Sequence, residues 1–273
     1  MWLKEVNVEK ITGAQAFGSA AALSTTFNSN LWHNNSNKYI VDAFSRALPK
    51  INPAMHNPIY AINDDYLVNI LPSELVKKYS NPKFLRIVAK TNPNISSSLE
   101  QVHVPVKVYS ANISSEIYPH FMPTLKTAYA IMKNSGVNFS KEDYITMGKA
   151  ALLHDIGKVY IPDTILNKQG KLNPYEKSVV DKHAQLGYEI LRTADVEAPV
   201  LNLVKNHHIY SKNNPPLVQI LQISDIWSAL KEKRPYKESF LNADAIKVLY
   251  ERVNNGDFDK KYTDALVRSL NSL

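Results

Sequence analysis

His120, His154, Asp155, His183, His207, His208 and Asp225 are the residues of this chain whose types could do chemistry together. Five of its 8 histidines fall in the set, leaving His33, His56 and His103 outside. Imidazoles and carboxylates gathered in this number suit a centre of two or more hard-to-borderline metal ions. Taken singly, each residue has an ordinary reading: a lone helical histidine usually belongs to a core or a surface, and tandem histidines occur in loops by accident. Asp225 is more telling, because an unpaired carboxylate on the apolar QISDIWSAL segment would be costly to bury.

Spacing adds to composition. Neighbours on a helix point about 100° apart, so His154 and Asp155 cannot easily grip one ion from mid-helix. They can serve two ions about 3.5–4 Å apart, with the carboxylate as bridge. His207 and His208 follow the same logic. His183 and Asp225 fall on two further helical segments, so several helices must converge on one centre. Cysteine is absent, which excludes disulfides, thiolate ligands and a cysteine nucleophile. Any metal must be held by His, Asp and Glu.

The elements that would do this positioning are legible in the second half of the 273-residue chain. Ser140 with Asp143 opens a helix through KEDYITMGKAALLHDI, and Gly157 is expected to stop it. Asn173-Pro174 with Glu176 opens another, expected to carry His183 and run to about Leu191. LVQILQISDIWSALKEK reads as an amphipathic helix bearing Asp225, Asn242 as the cap of ADAIKVLYERV, and a last helix follows Asp259. The expected class is all-α. Around residues 92–110 the character changes: NPNISSS is turn-like, and Val102, Val104, Val106 and Val108 alternate as in a strand or an extended connector. Pro105 favours an edge or a linker. The domain boundary is placed there, with residues 1–105 a smaller, mostly helical N-terminal domain and residues 113–273 the domain that bears the ligands. In the first domain AFGSAAAL reads as a packed helix, NSNLWHNNSN as a loop, and SELVKKYS and KFLRIVAK as helical stretches.

Bulk properties narrow the function classes. No apolar run approaches the ~18 residues of a membrane span, and MWLKEVNVEK lacks the apolar stretch of a secretory signal. A cytoplasmic protein without a membrane partner is expected. The net charge of +7 would suit a nucleic acid, an anionic membrane surface or a phosphate-bearing small molecule, or a protein simply rich in lysine. No run of like charge reaches five or six residues, so a nucleic acid polymer is not indicated.

The stretch HDIGKVYIPDTILNKQGKLNPYEKSVVDKHAQLGYEIL resembles the HD-GYP subfamily of HD metal-dependent phosphohydrolases. The likeness lies in the lysine after the His-Asp-x-Gly turn, the Ile-Pro-x-x-Ile-Leu segment and the later His-x-x-x-Gly. HH at 207–208, SDIWSAL and RPYKES continue it in order, so that it covers roughly residues 113–273. The resemblance implies an all-helical fold and two or three divalent ions, iron or manganese. It implies a cyclic dinucleotide substrate, cyclic di-GMP foremost, opened to linear pGpG with a further cut to GMP if a third ion is present. By position, the metal ligands would be Glu116, His120, His154, Asp155, His183, His207, His208 and Asp225, with Asp155 the bridge. Glu116 is carried over because it precedes His120 by four residues, although Pro119 and Pro123 lie in the same stretch. Asp155 and Lys158 would be the catalytic pair, and Lys158, Arg234 and Lys237 would hold the substrate's phosphate and base.

The chain also departs from that pattern. Where the family continues its paired histidines with a glutamate and an Asp-Gly-x-Gly-Tyr-Pro loop, this chain reads HHIYSKNNPPLVQILQISD. Ile209 replaces the glutamate and the interval to Asp225 is shortened. HFMPTL stands where a serine and an arginine usually follow the first histidine. These losses fall on substrate shaping and spare the ligands. Two other readings therefore stand beside the phosphodiesterase: a cyclic-dinucleotide receptor or interaction module that keeps its metal, and a phosphohydrolase of another nucleotide. An N-terminal domain before a signalling-type catalytic domain suggests regulation or dimerisation, with a second copy or a signalling protein as partner.

Overall fold

The computed structural model describes residues 78–79, 81–193, 196–232 and 239–270. AFGSAAAL, NSNLWHNNSN, most of SELVKKYS, Arg234 and Lys237 lie outside the described residues, as does about three quarters of the expected N-terminal domain. Among the described residues the regular structure is helical throughout. Two short helices come first, α1 (Pro82–Thr91) and α2 (Pro93–Glu100). An extended connector then leads to a π-helical turn, Ile113–Ile117, which runs into α3 (Tyr118–Asn134). There follow α4 (Lys141–Leu153), a 3-10 turn over Ile156–Tyr160, α5 (Asp163–Leu166), α6 (Pro174–Asp181), α7 (His183–Leu191) and α8 (Ala198–Asn206). The last three are α9 (Pro216–Lys231), α10 (Asn242–Asn254) and α11 (Lys260–Leu270).

Several starts follow the sequence signals. Ser140 and Asp143 form a reciprocal capping box at α4, and Asn173 and Glu176 form one at α6 with Pro174 in the first turn. Other expectations need correction. NPNISSS is not a turn: Asn92 accepts from the Asn94 amide and caps α2 behind Pro93. The helix through His183 is broken at Lys182 into α6 and α7. Asn242 is the first residue of α10 and makes no cap hydrogen bond; the cap position is Leu241. Of the two readings of Val102–Val108 the connector holds: Val102 and His103 close a turn after α2, the rest forms no strand among the described residues, and the Tyr109 amide that follows donates to the Val159 carbonyl at 2.7 Å.

Gly157 does not stop α4, which ends at Leu153. It does not take a left-handed backbone either. Its role is steric. A Cβ at Gly157 would lie 2.0 Å from the His183 carbonyl oxygen and 2.6 Å from the Gly187 amide nitrogen. Gly187 in turn faces the Gly157 amide, so two glycines let the 3-10 turn lie directly on α7.

Helix α9 is the axis of the fold. It is not amphipathic: Val218–Ser228 are buried all round, as expected of a helix enclosed by others. It packs chiefly on α3, which also supports α11 and α4. Leu85, Val88, Ile95 and Leu99 of α1 and α2 join the same core as the later helices. They are tied there by Tyr160, whose hydroxyl donates to the Leu85 carbonyl at 2.7 Å. Glu189 of α7 adds a polar tie, accepting from Asn92 at 3.1 Å and Asn94 at 3.2 Å and pairing with Arg192.

Candidate metal centre

Helix C-termini build this site. The last carbonyls of a helix lack intrahelical donors and carry the negative end of its dipole. His154 follows the last residue of α4, His207 follows that of α8, and His183 lies two residues beyond α6. Each turns its Nδ1 back to a carbonyl three residues earlier: Ala151 at 2.9 Å, Val204 at 2.6 Å and Val180 at 2.6 Å, respectively. A carbonyl only accepts, so each Nδ1 carries the proton and each Nε2 of the neutral ring presents a lone pair.

Those lone pairs meet. His183 Nε2 lies 3.0 Å from His207 Nε2 and 3.1 Å from His208 Nε2. No arrangement of protons on neutral rings makes the first of these contacts attractive when both Nδ1 atoms are committed. Buried His154 Nε2 has no hydrogen-bond partner; it lies 3.3 Å from Asp155 Oδ2 and 3.8 Å from Asp225 Oδ1. Lone pairs aimed at lone pairs and carboxylates, all out of water, are what a cation resolves. The donor set fits divalent ions held by nitrogen and oxygen.

Two groups of three ligand atoms, each within 4.8 Å of one another, stand out: His183 with His207 and His208, and His120 with His154 and Asp155. Asp225 joins the second, its Oδ1 2.8 Å from His120 Nε2. Asp155 spans both. Its Oδ2 faces His154 and accepts from Lys158 at 2.7 Å, while its Oδ1 lies 3.2 Å from His183 Nε2. The structure therefore brings seven expected residues and Lys158 together. Glu116 is in neither group. It sits in the π-helical turn, partly buried, and its charge helps to raise the Lys158 pKa.

The electrostatics are those of a site built for positive charge. Burial drives the His207 pKa well down, aided by His208 and His183, and takes His208 down to about 3. Both rings are neutral at physiological pH. Burial opposes ionisation of Asp155 and Asp225, but Lys158 and His154 around the first, and His120 and His154 around the second, more than offset it. Both stay carboxylates. His154 is pushed the other way: burial works against its charge, yet Asp155 and Asp225 raise its pKa, drawing a proton to the place a metal would fill. Lys158 is held charged against burial by Asp155.

Three supporting features escape a reading of the sequence. Asn112 donates from Nδ2 to the Lys158 and Ile161 carbonyls at 2.8 and 2.9 Å, which fixes the turn after Asp155. Pro123 has no amide to return to the preceding turn of α3, where Thr124 Oγ1 donates to the His120 carbonyl at 3.0 Å. The segment after His208 is braced by glutamines of α9. Gln222 Nε2 donates to the Asn206 and Ile209 carbonyls, both at 2.9 Å, and Gln219 Nε2 to those of Lys212 and Asn214 at 2.9 and 2.7 Å. Pro216 then begins α9 at once.

Residues 117–230 match the family model described as the HD domain. The chain is 33% identical over 145 residues to the cyclic di-GMP phosphodiesterase response regulator RpfG of Xanthomonas campestris, covering 48% of this chain and 38% of the relative. It is 34% identical over 135 residues to the cyclic di-GMP phosphodiesterase PA4108 of Pseudomonas aeruginosa, covering 45% and 32%. It is 27% identical over 165 residues to the 3'3'-cGAMP-specific phosphodiesterase 1 of Vibrio cholerae, covering 56% and 37%. The matches thus span under two-fifths of these relatives' length. Bd1817, a HDG"Y"P protein from Bdellovibrio bacteriovorus, shares the fold with a TM-score of 0.52 at 16% identity, over 88% of this chain and 80% of that one. No helix among the described residues is long and apolar enough to cross a membrane.

Proposed function

We propose that the protein is a metal-dependent phosphodiesterase that hydrolyses a cyclic dinucleotide, cyclic di-GMP foremost. The observation that carries this reading is Asp155, which turns one oxygen to each of two ligand groups, with Lys158 on the same carboxylate. His183, His207 and His208 would hold one ion, His120, His154 and Asp225 another, and Asp155 would bridge them. Bound there, iron or manganese supplies Lewis acidity to the phosphodiester and water acidic enough to attack it near neutral pH.

The protein's own part is to place and balance charge. Lys158 is ionised and next to the ligands, positioned to offset the charge that grows on the phosphoryl oxygens as water adds to phosphorus. The bond from phosphorus to the sugar 3' oxygen breaks, one proton of the water passes to that oxygen, and the cyclic compound becomes the linear dinucleotide pGpG. Arg234 and Lys237 are proposed to hold phosphate and base. Glu116, whose charge bears on Lys158, is proposed as ligand to a third ion and, through it, to the second cut to GMP.

Purified protein with Mn²⁺ or Fe²⁺ and cyclic di-GMP, followed by chromatography, tests this directly. Linear product that requires metal supports the proposal. Binding of the nucleotide without product under either metal would leave a receptor. Because a relative named for 3'3'-cGAMP matches the longest of the three segments, the panel includes that compound; turnover of it alone would reassign the substrate within the same chemistry.

A further inference from the structure

Four of the clustered imidazoles share the problem of fixing a tautomer, and one solves it differently. His154, His183 and His207 use backbone carbonyls. His208 places its Nδ1 2.9 Å from the hydroxyl of Tyr210, two residues on. That tyrosine belongs to the segment between the paired histidines and α9, which Gln219 and Gln222 brace.

Tyr210 is itself held from the far end of the chain. The Arg252 guanidinium of α10 stacks 3.9 Å from the centre of its ring, at cation-π distance, and Phe258 meets it edge-on at 5.8 Å and 84°. Arg252 is oriented by Asp257, with Nη2 3.1 Å from Oδ2. The corner between α10 and α11 is stitched to the segment after Tyr210: the Lys212 amide donates to the Gly256 carbonyl at 2.9 Å, and the Asp259 amide to Gln219 Oε1 at 2.7 Å. Gly256 takes φ 81°, which only glycine adopts without strain, to make that corner.

We infer that Tyr210, clamped by Arg252 and Phe258, is a positioning residue for the metal ligand His208, and that metal binding at the His183, His207 and His208 group therefore depends on the corner joining the two C-terminal helices. The inference rests on the metal centre proposed above. With Nε2 directed to the ligand group, Nδ1–H donates to the Tyr210 oxygen, which sets the ring's rotation and raises its basicity as a ligand. The other three histidines are set by their own helices and need no such help.

The test is Tyr210→Phe, which keeps the ring and its stacking and removes only the hydroxyl. Metal-free protein is titrated with Co²⁺, read by its visible d–d absorption and by calorimetry, and its thermal midpoint is measured without metal. Loss of a ligand's outer partner weakens metal by about 10–100-fold. The expected result is a fall of that size for one class of Co²⁺ site, a second class unchanged, and an unchanged metal-free midpoint. Arg252→Met should weaken the same class by a smaller factor, and His208→Ala should abolish it. Wild-type protein that binds no Co²⁺ would overturn the metal centre itself. Wild-type binding with Tyr210→Phe indistinguishable from it would overturn the role of Tyr210 and leave the metal centre standing. A fall shared equally by both classes would also overturn it, because the hydroxyl would then act on the fold and not on His208.

Discussion

Gly157→Ala should damage the metal centre although residue 157 touches no ligand group. A methyl there would lie 2.0 Å from the His183 carbonyl oxygen, whereas ordinary contact begins at 3.4 Å, so the two must part by roughly 1.4 Å. Neither neighbour is a flexible side-chain end: both are backbone of α7, the helix that begins with the ligand. Overpacking of a tight core costs about 1–3 kcal/mol, more when backbone must move. Because backbone must move here, the upper value of about 3 kcal/mol applies, and at 2–4 °C per kcal/mol for a domain of this size a midpoint about 6–12 °C lower is expected in the absence of metal. The displacement also falls on His183, whose Nε2 contacts to His207, His208 and Asp155 span only 3.0–3.2 Å. Metal content should drop with stability, by calorimetric unfolding and elemental analysis on the same preparation. Gly187→Ala, whose Cβ would come within 3.2 Å of the Val204 side chain, should cost less because a side chain can yield. If Gly157→Ala unfolds within 2 °C of the parent and keeps its metal, the steric account of the His-Asp-x-Gly turn is wrong.

Asp155→Asn should remove metal and activity together, since both carboxylate oxygens face ligand groups; full metal content in the variant would refute the bridge. Lys158→Met should keep its metal and lose kcat/KM by tenfold or more, the value of about 1.5–3 kcal/mol for a charged hydrogen bond, in steady-state assays with cyclic di-GMP. Chelation should lower the thermal midpoint by about 5–11 °C relative to protein holding metal at 100 times its dissociation constant, which is worth about 2.7 kcal/mol. Glu189 is buried, which disfavours its charge, but Arg192, Asn92 and Asn94 hold its pKa below the usual carboxylate value. Its stabilising contribution is therefore present above the unfolded pKa and lost as pH falls through the folded one. Denaturant titrations of Glu189→Gln should show a protein weaker than the parent by about 1.5–3 kcal/mol at neutral pH, with the gap closing in acid.

The residues that cluster are legible in the sequence because metal chemistry restricts residue type severely. An aspartate on QISDIWSAL or a His-His pair has few buried uses once cysteine is absent. Helix starts were legible for a similar reason: the capping boxes at Ser140 and Asn173 are local, side chain to backbone, within three residues. Ends and faces were not. Gly157 reads as a helix stop in one dimension, and only its approach to α7 shows that the missing Cβ is what matters. The α9 sequence looks amphipathic because Gln219, Gln222 and Ser224 are polar, yet all three are buried and donate to carbonyls of the chain. Asn112 and Tyr210 could not be found from spacing, since an Asn that grips carbonyls 46 and 49 residues away leaves no periodic trace.

Three of the imidazoles are aimed by the ends of their own helices, through a carbonyl one turn back. Each such helix end is a self-contained ligand mount, and the aim it gives does not depend on the chain that follows. That makes the reactive centre separable from the walls around it. The segment after His208 has a support of its own, the glutamines of α9. Only His208 takes its aim from that segment, through Tyr210, and there the cluster and its wall are joined.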